Sequence, residues 1–164
     1  KDHLTLLKSI NELKNKINIR LVIIGRGANY YKLKKFINDN KINKIVKILN
    51  FMKNPFPYLK KADLFLLTSR FEGLPNVLLE AVTLRKNIIS TNCPTGPREI
   101  LNNGKYGTLC EIENYKQISK KIIQFKLENK KALKRITNLA YEALDRFDYK
   151  IKLNKYYLEK KKLY

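Results

Sequence analysis

The chain is 164 residues long, 44% hydrophobic and 30% charged, which fits one folded domain large enough to bury a core. No apolar run reaches the roughly 18 to 20 residues of a membrane span, and no signal-peptide pattern opens the sequence. With 35 basic against 14 acidic side chains the formal net charge is +21, so anionic partners enter the question at once.

The charge is unevenly laid out. Residues 64–113 hold five basic and five acidic side chains and are neutral, whereas both flanks are strongly basic. Only seven of the basic residues are arginine; the excess is lysine spread along helical flanks. Solvated helix faces account for such a pattern, with attraction to an anionic membrane surface or to nucleic acid as the functional alternatives. Cys93 and Cys110 lie in apolar surroundings without CxxC spacing, as expected of reduced core thiols in a cytoplasmic protein. His3, the single histidine, cannot build a metal cluster and is expected at a helix start on the surface. Lys1-Asp2-His3 leads straight into an amphipathic pattern, as expected of a piece excised from a longer chain.

Leu6, Leu7, Ile10, Leu13 and Ile17 recur at helical spacing and predict a helix over 3–17. IRLVIIG (19–25) is a continuous apolar run ended by glycine, the signature of a buried parallel strand. A helix is expected over 30–40, a strand over 44–49, a short proline-started helix over 55–62 and a strand over 63–69. PNVLLEAVTLR (75–85) reads as a helix with proline in its first turn, where a missing N–H costs nothing. A strand over 87–91, a loop entering a short helix over 94–101 and a strand over 107–112 follow. From 114 onward the pattern is helical to the end, with neither glycine nor proline. Strands alternating with helices through short connections predict an α/β fold, a Rossmann-like doubly wound parallel sheet with helices on both faces. Ligands of such sheets bind at the carboxyl ends of the strands.

The corner SRFEGLPNVLLEAV, 69–82, joins strand to helix there and places Glu72 and Glu80 around a Gly-Leu-Pro turn. A helix start offers unpaired N–H groups and the positive end of its dipole. Gly73 leaves the backbone open to close approach, and Glu80 shares a helix face with Asn76, four residues earlier. Two carboxylates beside amide donors suit a polyhydroxylated ligand, because ionised acids accept hydrogen bonds from hydroxyls. The plainer reading is that Glu72 caps the helix and Glu80 is solvated.

TSRFEGLPNVLLEAV followed by IISTNCPTGPREIL resembles the signature of family 4 glycosyltransferases of the GT-B fold, whose two acids Glu72 and Glu80 match at E-x7-E spacing. KDHLTLLKSI is similar to that family's segment after its first strand, LVIIGRG to its second strand, and ILNFMKNPFPYLKKADLFLLTS to its third and fourth. The resemblance covers essentially the whole chain and implies the C-terminal, nucleotide-sugar-binding half of a GT-B enzyme. It implies a Rossmann-like domain over 1–147 and a C-terminal helix over 148–164, which either docks on an N-terminal acceptor domain or packs on its own sheet.

The resemblance further implies that Glu72 contacts hydroxyls of the donor sugar and that Lys1 pairs with its pyrophosphate; these are the expected catalytic residues. Gly73, Leu74, Pro75, Asn76 and Val77 would hold sugar and pyrophosphate through their backbone, and Glu80 the ribose. Asn50 and Phe51 would border the base beside Gly25 and Gly27, with Thr95 and Gly96 presented toward the phosphates. The implied partner is a nucleotide-diphosphate sugar, UDP-linked, transferred with retention to a glycan or lipid-linked acceptor of cell-surface polysaccharide, with no metal and no cofactor. Peripheral contact with an anionic membrane is expected and nucleic-acid binding is not. Two departures stand out: Asn50 replaces a usual glycine, and Arg85-Lys86-Asn87 replaces Gly-x-Pro. The competing readings are a nucleotide-sugar epimerase, a nicotinamide-binding domain and a basic nucleic-acid or anionic-surface module. The nicotinamide fingerprint lacks its third glycine and its ribose-binding acid.

Overall fold

The computed structural model describes residues 1–25 and 27–148. Their order is α1 (His3–Asn11), β1 (Leu21–Ile24), α2 (Tyr30–Asp39), β2 (Val46–Leu49), α3 (Phe56–Lys61), β3 (Leu64–Leu67) and α4 (Asn76–Thr83). Then come β4 (Asn87–Thr91), α5 (Pro97–Ile100), β5 (Thr108–Cys110), α6 (Tyr115–Leu127), α7 (Lys130–Glu142) and a 3-10 turn (Ala143–Phe147). All three strand pairings among the described residues are parallel, and they fall into two sheets. β1 pairs with β2, and β3-β4-β5 form a second sheet in that order.

Alternation along each strand sorts the core into two layers. Leu64 and Leu66 of β3 and Ile89 of β4 face a cluster that also holds Leu6, Leu7 and Ile10 of α1, Leu33 and Ile37 of α2, and Ile118 and Ile122 of α6. Phe65 and Leu67 of β3 and Ile88 of β4 face the other cluster, with Leu78, Ala81 and Val82 of α4, Ile100 and Leu101, and Ala140 of α7. Helices thus cover both faces, the Rossmann-like arrangement that the alternating pattern predicts.

Boundaries differ where local hydrogen bonds win over hydrophobic period. The first helix ends at Asn11, not 17; single turns such as Leu13 N–H to Ile10 O, 3.0 Å, and Lys16 N–H to Leu13 O, 2.9 Å, carry the chain on. The expected continuous C-terminal helix breaks at Glu128 and Asn129, both in extended backbone. Asn129 Oδ1 accepts from Lys131 N–H at 2.8 Å and starts α7 as its N-cap. On α4 the buried face is Leu78, Ala81 and Val82, with Leu84 only half-buried.

Arg85, in the departure from Gly-x-Pro, ends α4 at φ 50, a left-handed position that favours glycine. Its guanidinium lies 3.9 Å from the Tyr141 ring centroid and so helps dock α7. The expected C-terminal helix over 148–164, and with it the docking on another domain, falls beyond Asp148 and so outside the described residues.

Candidate functional site

At the carboxyl end of β3 the chain turns through Thr68 and Ser69, both buried, into the exposed corner that precedes α4. Thr91 of β4 pins this turn: its hydroxyl donates to Ser69 O at 2.6 Å. Ser69 Oγ in turn donates to Glu72 Oε1 at 2.5 Å. Lys1 Nζ lies 4.0 Å from the same oxygen, with the Glu72 side chain 18% exposed and that of Lys1 41%. The two expected catalytic residues therefore meet. Glu72 spends its contacts on Ser69 and Lys1, and no side chain caps α4.

The first turn of α4 begins after Pro75, where Leu78 N–H donates to Pro75 O at 2.8 Å. The N–H groups of Asn76 and Val77 precede that bond, at the positive end of the helix dipole. A second loop leans on this corner. Thr95 Oγ1 donates to the Glu72 carbonyl, and a Cβ on Gly96 would overlap the Gly73 carbonyl oxygen and the Pro75 ring. Thr95 and Gly96 both have positive φ, 60 and 65, so the loop is held in a conformation that a β-branched residue rarely adopts. By contrast a Cβ on Gly73 would meet open space.

Glu80 is half-buried and lines the mouth of a cleft with Lys1, Gly25, Phe51, Thr68 and Val77. Lys1 thus contacts Glu72 and shares the lining of this cleft with Glu80. Val77, half-buried against the core cluster of α4, lines this mouth as well. Gly27, Asn50, Leu74 and Asn76 are exposed and lie off the walls of that cleft; Phe51 is 81% exposed.

Several residues that organise the corner carry no motif. Asp2, buried, accepts from Thr5 N–H at 3.1 Å and Thr5 Oγ1 at 2.8 Å, capping α1. Arg70 joins it at 3.1 Å and reaches Glu113 at 2.5 Å. Burial pushes the Asp2 carboxyl up, but Thr5 and the Arg70 guanidinium together hold it below the usual carboxylate range. Asp-x-x-Thr before an apolar run was a readable cap signal; the Arg70 pairing, 68 residues away, was not. His3 is half-buried, and burial followed by the Lys1 charge holds its imidazole below the usual value. Both cysteines are buried free thiols, as expected of core positions.

Parallel strands covered by helices on both faces are the layout of GT-B glycosyltransferases, and this chain covers a part of that fold. The Anabaena protein HepE, solved with UDP and glucose, superposes on 100% of this chain and 45% of its own at TM-score 0.81 and 19% identity, a likeness of fold. The chain belongs to the family of glycosyl transferases group 1, whose model matches residues 1–143. A Campylobacter jejuni N-acetylgalactosaminyltransferase acting on a diphospho-undecaprenol-linked sugar is 30% identical over 93% of this chain and 41% of its own length. An uncharacterized glycosyltransferase of Methanocaldococcus jannaschii is 42% identical over 58% of this chain and 24% of its own. The chain spans about a quarter of the one relative and about two fifths of the other. Among the described residues no helix is long and apolar enough to cross a membrane.

Proposed function

We propose that the chain is the C-terminal, donor-binding domain of a family 4 glycosyltransferase, which moves a hexose or N-acetylhexosamine from a UDP-sugar to a glycan or lipid-linked acceptor. The meeting of Lys1, Glu72, the open first turn of α4 and the Thr95–Gly96 loop at one strand-end corner carries this reading. Glu72 accepts hydrogen bonds from sugar hydroxyls, and Glu80 from the ribose. Lys1 and the start of α4 face the diphosphate and stabilise the charge it gains on leaving. Gly25, Gly27, Asn50 and Phe51 border the base.

Transfer proceeds with retention. The bond from the anomeric carbon to the diphosphate breaks while the acceptor oxygen bonds on the same face, and its proton passes to the departing phosphate. Glu72 is held by Ser69 and Lys1 and acts on position and charge, not as a covalent nucleophile. The acceptor belongs to an N-terminal domain, so these residues alone bind donor and catalyse nothing. The name of the Campylobacter relative supports a lipid-linked acceptor, and the UDP and glucose of the Anabaena structure support the donor. Lysine-rich flanks favour work at the cytoplasmic face of an anionic membrane.

Calorimetric titration with UDP, and separately with duplex DNA at two salt concentrations, tests the reading. Saturable UDP binding that disappears in Glu80→Ala is expected. DNA binding that falls steeply with salt and survives the substitution would replace it with a basic nucleic-acid module.

A further inference from the structure

The alternation of β3 continues past its end and sends two adjacent hydroxyls to opposite faces of the sheet. Leu64 and Leu66 face the layer that holds α1, and Phe65 and Leu67 the layer that holds α4. Successive side chains of an extended chain point to opposite sides. Thr68 accordingly reaches the chain ahead of α1, and Ser69 the corner ahead of α4. Both residues are buried.

Ser69 meets Glu72 directly, whereas Thr68 meets the residue beside Lys1. Thr68 Oγ1 donates to the Asp2 carbonyl at 2.8 Å, and Asp2 N–H donates back to the Thr68 carbonyl at 3.1 Å. One residue therefore engages both backbone polar groups of Asp2. The Asp2 carbonyl also accepts the Leu6 N–H at 3.4 Å, in the first turn of α1. The Lys1 side chain is far less constrained: it is 41% exposed, and among the described residues its ammonium meets a carboxylate only at Glu72, 4.0 Å away. A lysine carries a point charge at the end of a flexible stem, so the place where its backbone is fixed decides where that charge can act.

We propose that Thr68 is a positioning residue for Lys1: its hydroxyl fixes the peptide from which Lys1 extends, and so sets where the ammonium meets the donor diphosphate. The inference rests on the donor-site reading, in which Lys1 pairs with that diphosphate. Thr68 acts through Asp2 and not on the ligand, because its hydroxyl is already given to the Asp2 carbonyl. The stabilisation that Lys1 offers a departing phosphate falls with distance, so a lysine whose backbone is released stabilises it less. Neighbouring hydroxyls on opposite faces of one strand end then divide the work, Thr68 placing the cation of the site and Ser69 its acid.

A double-mutant cycle on UDP binding tests this. Thr68→Val keeps the side chain's shape and the bond from Asp2 N–H, and it leaves the Asp2 carbonyl its bond from Leu6. UDP dissociation constants are measured by calorimetry, below each thermal midpoint, for the 164-residue chain, Thr68→Val, Lys1→Ala and the double variant. Lys1→Ala should weaken UDP by about tenfold or more, the loss of a hydrogen bond between charged groups. Thr68→Val should weaken it by about three- to tenfold in the parent chain and by less than about twofold in the Lys1→Ala background. It should also flatten the fall of UDP affinity with salt toward that of Lys1→Ala, which a packing defect would not do. Thr68→Ser, which keeps the hydroxyl, should stay within about twofold of the parent. Equal weakening by Thr68→Val in both backgrounds overturns the inference, as does a loss in Thr68→Ser as large as that in Thr68→Val. Parent affinity in Lys1→Ala overturns it too, because no contact would then remain to be positioned. The donor-site reading fails on a different result, the absence of saturable UDP binding in the parent chain, and takes the inference with it.

Discussion

Arg70 Nε donates to Asp2 Oδ2 across 3.1 Å, tying the chain ahead of α1 to the corner that follows β3. The same carboxylate caps α1 through Thr5, and the neighbouring residue, Lys1, reaches Glu72. One buried acid therefore sets both a helix start and the place from which a candidate catalytic lysine extends. Removing it in Asp2→Ala should cost about 1–2 kcal/mol of stability, the range for a lost N-cap. Urea midpoints measure this; a change within experimental error would mean the cap is ornamental.

The same acid fixes an acid limit on stability. Its pKa is depressed in the folded chain, so its contribution is fully present above the unfolded value of about 3.9 and is lost as pH falls through the folded value. Unfolding free energy in urea should therefore drop as pH is lowered from 5 toward about 2. Asp2→Asn, which keeps an oxygen for Thr5 but no charge for Arg70, should flatten that part of the curve. A parallel loss in both proteins would assign the acid sensitivity elsewhere.

Two glycines in contact should respond in opposite ways. Gly96 has φ 65 and faces the Gly73 carbonyl and Pro75 ring with no room for a Cβ, so Gly96→Ala should destabilise by about 2–3 kcal/mol. Gly73 is open to solvent, and Gly73→Ala should stay within about 0.5 kcal/mol of wild type. If the corner holds a donor, Gly73→Ala nonetheless weakens UDP-sugar binding, because its Cβ stands where the ligand approaches the backbone. Thermal melts and titrations on both variants separate scaffold from site.

Much of the geometry of the corner between β3 and α4 was legible because its parts are local. Glu72, Gly73, Pro75 and Glu80 sit within nine residues, and a strand-to-helix turn fixes their relation once the hydrophobic period changes. The parallel, helix-flanked layout followed from the same alternation. Less legible was whatever depends on distant partners or on local hydrogen bonds. Ser69 holding Glu72 needed the Thr91 contact from β4, and Asp2 with Arg70 spans 68 residues. The break at Asn129 was missed because period continues across it while one side-chain oxygen ends one helix and begins the next. The open edges of β1 and β3 could not be read from apolar runs, which look alike in paired and unpaired strands.

The two acids should separate on two ligands. Glu80 is assigned to the ribose, present in both UDP and a UDP-sugar, whereas Glu72 is assigned to the sugar alone. Glu80→Gln should weaken both ligands by about tenfold or more, the loss of a hydrogen bond to a charged group. Glu72→Gln should weaken the UDP-sugar and leave UDP unchanged. Ser69→Ala, which frees the Glu72 carboxylate without removing it, should follow Glu72→Gln in direction and fall short of it in size. Equal loss of UDP binding in Glu72→Gln and Glu80→Gln would remove the division of roles.

The thiols supply a check on the core that requires no ligand. Cys93 and Cys110 are each 2% exposed, and burial pushes the Cys110 thiol up to about 11. At pH 8 its thiolate fraction is then about one in a thousand, and the thiolate is the reacting form. A disulfide reagent such as dithionitrobenzoate should therefore label the folded chain only as fast as it opens, and label both residues promptly in denaturant. The rate should rise with urea in step with the fraction unfolded. Immediate labelling of one thiol in the native protein would mean that β5 or the turn after β4 is open to solvent, and the packing around Thr91 that pins Ser69 would have to be redrawn.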